Sequence, residues 1–295
     1  MSDLASTPTA TLFRQWRTQG DGAAGQAMAQ RFSDWYYAVT TCRLGDAHGR
    51  APLQRACLRF QQNILSVTSA DELVSWSHGL LTEEVRMAGG RIAGGDFPNQ
   101  LTGGRSPTEL LRQVAAGMRG DDVQLLSMAY DSGVDQEQVT ARAEALGGYP
   151  FAVLNARLAL KRALAAEAAV AFTEVPEAPN LDLAPLPLYE AGRMVREAEE
   201  TGFEKWMLTD MRLCKDIAEF GVFAQALRAG ALRGLEPRAT PAAAPVRERT
   251  AEPESEGGDD PSPIRRAALP IAMVVGLGLF GLLMLVAGGA WLLFG

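Results

Sequence analysis

Near the middle of the chain, Asn155, Arg157, Lys161 and Arg162 form a basic polar run with no acid until Glu167. Guanidinium and ammonium groups held on a helix contact phosphates, and Asn or Arg side chains reach base edges in a groove. The same run would also serve as the solvated face of an ordinary helical hairpin. Other chemistry finds little support. There are two histidines, His48 and His78, far apart in sequence. No nucleophile elbow, His-Glu metal motif or nucleotide loop is present, so no catalytic residue, metal ligand set or cofactor is assigned. The pairs Glu83/Glu84, Asp121/Asp122 and Glu199/Glu200 suit helix starts, where negative charge is favoured. Cys42, Cys57 and Cys214 are too few and too scattered for a disulfide framework. The net charge of −7 removes any global basic field.

The elements that must position the basic run read as helices. Pro150 opens its helix, which runs to about Glu167. A preceding helix spans about Gln136–Leu146, with Asp135 as cap and Gln138 three residues on. Gly147 and Gly148 make the turn between them. Two helices joined by a tight glycine turn form a helix-turn-helix, whose second helix can enter a DNA major groove. Upstream lie a helix from about Asp122 to Asp131 and one opened by Ser106, Pro107 and Glu109, a capping box.

The first third is also helical. Leu12, Phe13 and Trp16 mark a short helix. Asp21 caps a longer one whose Ala24, Met28, Phe32, Trp35, Tyr36, Val39 and Cys42 recur at helical spacing and stop at Gly45. Pro52 suits the first turn of the next, which carries Leu53 to Val67, and Ser69 with Glu72 opens a further helix to about Ala88. Residues 89–104 hold many glycines and read as a flexible connector. Beyond the proline-rich strap at 173–187, a short helix at Leu188–Met194 and a long one from Glu197 to Leu232 are expected. The long helix is so broadly apolar that it must pack on the rest of the chain or on a partner.

Residues 236–266 hold six prolines and no large aromatic, the composition of a linker that does not order itself. Leu269–Phe294 is then apolar throughout, long enough to span about 30 Å of hydrocarbon. Arg265 and Arg266 stand just before it and predict that the preceding chain stays cytoplasmic. Met1–Thr11 has no basic stretch followed by an apolar one, so no signal peptide is expected.

Three stretches resemble transcription-initiation proteins. Leu12–Asp46, with Phe13, Trp16, Arg17, Gly20, Asp21, Phe32, Tyr36 and the Leu-Gly-Asp at 44–46, resembles the start of the core-binding domain of extracytoplasmic-function sigma factors. Where that family carries its promoter-melting segment, this chain has the glycine connector. Leu125–Leu164, with Gly133, Asp135, Gln138, Val139, Leu146, Gly147, Pro150, Val153, Arg157, Lys161 and Arg162, is similar to the sigma domain that reads the upstream promoter element. Leu188–Arg228, with Tyr189, Gly192, Glu199, Glu200, Phe203 and Glu204, looks like the helical domain of anti-sigma factors. There Trp206, Asp210 and Leu213 take the family's metal positions, so the resemblance implies a zinc-less form.

The expected fold is all-α. It comprises a sigma-like domain at 8–88, the connector at 89–105, a helix-turn-helix domain at 106–170, a strap at 171–187, and an anti-sigma-like helical domain at 188–233. A disordered linker at 234–267 and a transmembrane helix at 268–294 complete it. The resemblance implies a single-pass protein of the bacterial inner membrane that regulates transcription. Its expected partners are RNA polymerase, a separate sigma or anti-sigma protein, and promoter DNA, the last through Asn155, Arg157, Lys161 and Arg162. The second expectation is an adaptor whose sigma-like folds dock proteins and leave DNA alone.

Overall fold

The computed structural model describes residue 4 and residues 6–92, 95–98, 101–167, 170, 172–179 and 183–235. The linker and the apolar segment Leu269–Phe294 lie outside them. Ten α-helices and no strand occur among the described residues, so the fold is all-α. No described helix is long and apolar enough to cross a membrane.

Half of the described helix starts follow from a side-chain oxygen that satisfies a free backbone N–H. α1 is Thr9–Gln19 and α2 is Gly22–Asn63, with Asp21 accepting from the N–H groups of Ala23 and Ala24. α3, Ala70–Met87, is capped by Ser69, which accepts from Glu72 N–H; the Glu72 carboxylate in turn takes the Thr68 N–H and hydroxyl. Ser106 caps α4, Pro107–Ala115. α5 is Gly120–Tyr130, and Asp135 caps α6, Gln136–Glu144. After Gly147 and Gly148, both at positive φ, α7 runs Phe151–Ala166. α8 is Leu186–Ala191, α9 is Glu197–Met207 and α10 is Met211–Arg228.

Two expected elements come out differently. The long helix from Glu197 to Leu232 is interrupted: Asp210 turns its carboxylate onto the N–H groups of Arg212 and Leu213 and starts α10 afresh. A side chain that caps offers the backbone an alternative to the helical ladder, and here the cap wins. The described part of the connector is also tied down. Ile92 N–H bonds Arg43 O at 2.9 Å. The Asp96 carboxylate accepts from Ser106 Oγ and from Thr108 N–H at 2.8 Å.

The expected stop at Gly45 is a sharp break inside α2, at φ 80° and ψ 161°. That conformation is open essentially only to glycine. It interrupts the helical ladder beside the carbonyls of Thr41, Cys42 and Arg43, and a buried carbonyl needs a donor. Gln225 Nε2 reaches Thr41 O at 3.4 Å and Cys42 O at 3.1 Å, and Arg228 Nη2 bonds Cys42 O at 2.7 Å. Arg43 O takes the Ile92 N–H. Two of the donors that satisfy this break therefore come from α10.

Residues Met1–Pro237 form one unit with two apolar clusters. One gathers α1–α3 around Trp35, Tyr36, Phe32 and Phe60; the other gathers α4–α7 around Leu125, Tyr130, Val153 and Leu160. α10 belongs to both. Leu213, Cys214 and Ile217 complete the first, while Phe220, Phe223 and Leu227 complete the second. Gly221 allows the close approach to α2, since a Cβ there would meet Thr41 Cγ2 at 3.0 Å. The apolar stripe that had to find a partner packs inside its own chain.

Candidate functional site

α7 holds Arg157 and Lys161 on the side turned toward α8 and α10, and both are buried, Lys161 to 1% exposure. Arg157 forks onto Glu190 of α8, with Nε 2.8 Å from Oε2 and Nη2 2.6 Å from Oε1. Its Nη2 also meets Asp216 Oδ2 of α10 at 2.5 Å, and its guanidinium lies 4.3 Å over the Phe220 ring. Lys161 Nζ donates to Asp216 Oδ1 at 2.5 Å and to Glu174 O at 2.8 Å, over the Phe172 ring at 4.9 Å. Tyr130 of α5 donates to Glu190 Oε2 at 2.6 Å. The Glu190 carbonyl takes Arg228 Nη1 at 2.7 Å. The network therefore runs without interruption from the break in α2 to the middle of α7.

The charges balance, which is what lets them be buried at all. Burial pushes the Asp216 carboxyl up, but the adjacent Arg157 and Lys161 outweigh it and hold Asp216 below the ordinary carboxylate range. Burial works against the Arg157 cation as well, and Asp216 and Glu190 override it, so Arg157 is raised. The Tyr130 phenol is driven well up, by burial first and then by Glu190.

The four residues expected to contact DNA therefore separate. Arg157 and Lys161 do not face solvent as expected, because their charge is already neutralised by Glu190 and Asp216. Arg162 is exposed and its guanidinium donates to the carbonyls of Pro176 and Glu177 in the strap. Asn155 is half-buried and Phe151, one turn earlier, is 40% exposed.

A second buried carboxylate ties α9 to the first helices. Glu204 accepts from Arg43 Nε at 2.6 Å and Tyr189 Oη at 2.8 Å, and its Oε2 lies 2.8 Å from His78 Nε2. Its backbone carbonyl takes Trp35 Nε1 at 2.7 Å. Burial drives its carboxyl upward, but His78, Arg43 and Tyr189 together lower it below the usual value. Glu200 adds ion pairs to Arg43 at 3.1 Å and to Arg91.

Sequence reasoning missed Glu190, Asp216 and Glu204 as the partners of the basic run and of Arg43. A signal existed: each is an acid set among residues that are mostly apolar, where a carboxylate must find a cation. Cys214 is buried and donates its thiol to Met207 O at 3.0 Å. Among the described residues, no three His, Cys, Asp or Glu side chains are placed to hold a metal ion. The chain matches no protein-family model, no curated protein and no solved structure.

Proposed function

We propose that the chain is a membrane-anchored, non-enzymatic adaptor of sigma-like helical fold, which captures protein partners and leaves DNA unread. The observation that carries this reading is the burial of Arg157 and Lys161 against Glu190 and Asp216. A phosphate would have to displace two carboxylates that are already in hydrogen-bond contact. Uncovering the face also means withdrawing α10. Its Leu213, Ile217, Phe220, Val222, Phe223 and Leu227 are each at most 3% exposed. Burial of such side chains contributes about 1.5–3 kcal/mol apiece. Together they rival the roughly 5–15 kcal/mol that keeps a whole domain folded. DNA contacts of a few exposed cations do not offset that. The anchor is read from Leu269–Phe294, with the folded part on the cytoplasmic side of a bacterial inner membrane. RNA polymerase or a separate sigma or anti-sigma protein are the partners that the sigma-like pattern suggests.

A second reading is a transcription regulator that binds promoter DNA or polymerase under the control of its own anti-sigma-like helices. It is favoured by Arg162, Asn155 and Phe151, which remain accessible on α7. Capture of the full chain from the membrane fraction separates the two. The adaptor recovers a defined protein that survives nuclease treatment and high salt. Recovery of nuclease-sensitive promoter DNA supports the regulator instead.

A further inference from the structure

We propose that α8–α10 are a permanent lock on the two halves of the molecule, not a removable cover over α7. Cutting the chain from its anchor would then free a unit whose α7 is still closed. The lock concerns the regulation of the face on which the adaptor reading rests, and it draws on further contacts of its own.

Three features of α10 point the same way. Its first half completes the apolar cluster of α1–α3 and its second half completes that of α4–α7, so neither half keeps a closed core without it. Gln225 and Arg228 supply donors to the Thr41 and Cys42 carbonyls at the break in α2, and withdrawal of α10 takes those donors away. Asp216 and the neighbouring Glu190 neutralise Arg157 and Lys161, so withdrawal breaks short ion pairs that join α7 to α8 and α10. A removable cover would instead have an apolar face toward one body and a solvated back. Here Phe220–Arg228 is buried residue by residue. The regulated event left to such a molecule is its relocation, with α7 closed before and after.

Hydrogen exchange on the full chain in lipid vesicles tests this. The slowest amides of α2, α7 and α10 are expected to exchange through one common opening, with protection equal within about threefold and a shared response to low denaturant. Arg228→Gln removes donors to the Cys42 and Glu190 carbonyls, and is expected to lower protection about tenfold or more in all three helices together. A protease site inserted between residues 238 and 266, then cut, is expected to leave α7 protection unchanged. Opening of α8–α10 ahead of α2, or a tenfold loss of α7 protection on cutting, would overturn the lock. Should Arg228→Gln fail to fold, the denaturant series on the unaltered chain still distinguishes one common opening from an early release of α8–α10. Exchange does not report partners, so a lock that fails while the same protein is still captured is contradicted alone. A lock that holds while DNA is captured contradicts the adaptor alone.

Discussion

At the scale of single residues, the molecule is governed by buried charges that cannot be spared singly. Arg157→Met leaves Glu190 and Asp216 short of their cation, and should destabilise the fold by about 3–5 kcal/mol in denaturant titration. Adding Glu190→Gln should recover part of that loss, because the remaining side chain carries no charge and still accepts from Tyr130. Arg162→Ala, on the exposed edge of the same helix, should stay within about 0.5 kcal/mol of the parent. Equal losses for Arg157→Met and Arg162→Ala would remove the distinction between the two positions. The carboxyls of Asp216 and Glu204 are both lower in the folded chain than when free. The folded state thus binds these protons less readily than the unfolded one. Their contribution is complete above the unfolded range near pH 4, and is lost as pH falls through the lower folded values. Unfolding midpoints should drop between about pH 5 and pH 2, and less steeply in Glu204→Gln. A flat profile would contradict the pairing.

At the scale of elements, the starts of helices were legible and their partners were not. Asp21, Ser69, Ser106 and Asp135 cap where their spacing predicts, because capping is decided within three or four residues. The break at Gly45 was legible for the same reason. Asp210 was missed since the apolar period continues across it, and a short-range cap overrode a long-range pattern. That Arg157 meets Glu190, thirty-three residues away, depends on how α7, α8 and α10 pack, which no local rule encodes. Gly45→Ala should cost about 1–3 kcal/mol from backbone strain alone. The added methyl would lie 3.4 Å from Gln225 Cδ, so no severe clash contributes. Gly221→Val should push α10 from α2, and near-ultraviolet circular dichroism of Trp35 and Tyr36 should report the loosened core. An unchanged spectrum and unfolding midpoint would show that the approach of Gly221 to Thr41 is not needed.

At the scale of the whole molecule, one helix closes two cores and neutralises the cations that made the chain look like a DNA reader. An all-α fold was readable from periodicity; the sharing of α10 between both clusters was not, because an apolar stripe shows that a helix is buried and not which elements bury it. The sigma-like reading of the sequence and the closed seam of the fold meet in a specific expectation about nucleic acid. A protein that neutralises several phosphates loses affinity steeply with salt, by roughly 10³–10⁵ between 50 and 200 mM for six to ten contacts. The decisive measurement is a salt titration of duplex DNA binding by the full chain in vesicles. The adaptor reading predicts no salt-sensitive binding above that of empty vesicles at either salt concentration. Binding that is tight at 50 mM, collapses by 200 mM and weakens in Arg162→Ala, which leaves the fold intact, would mean that α7 does reach DNA.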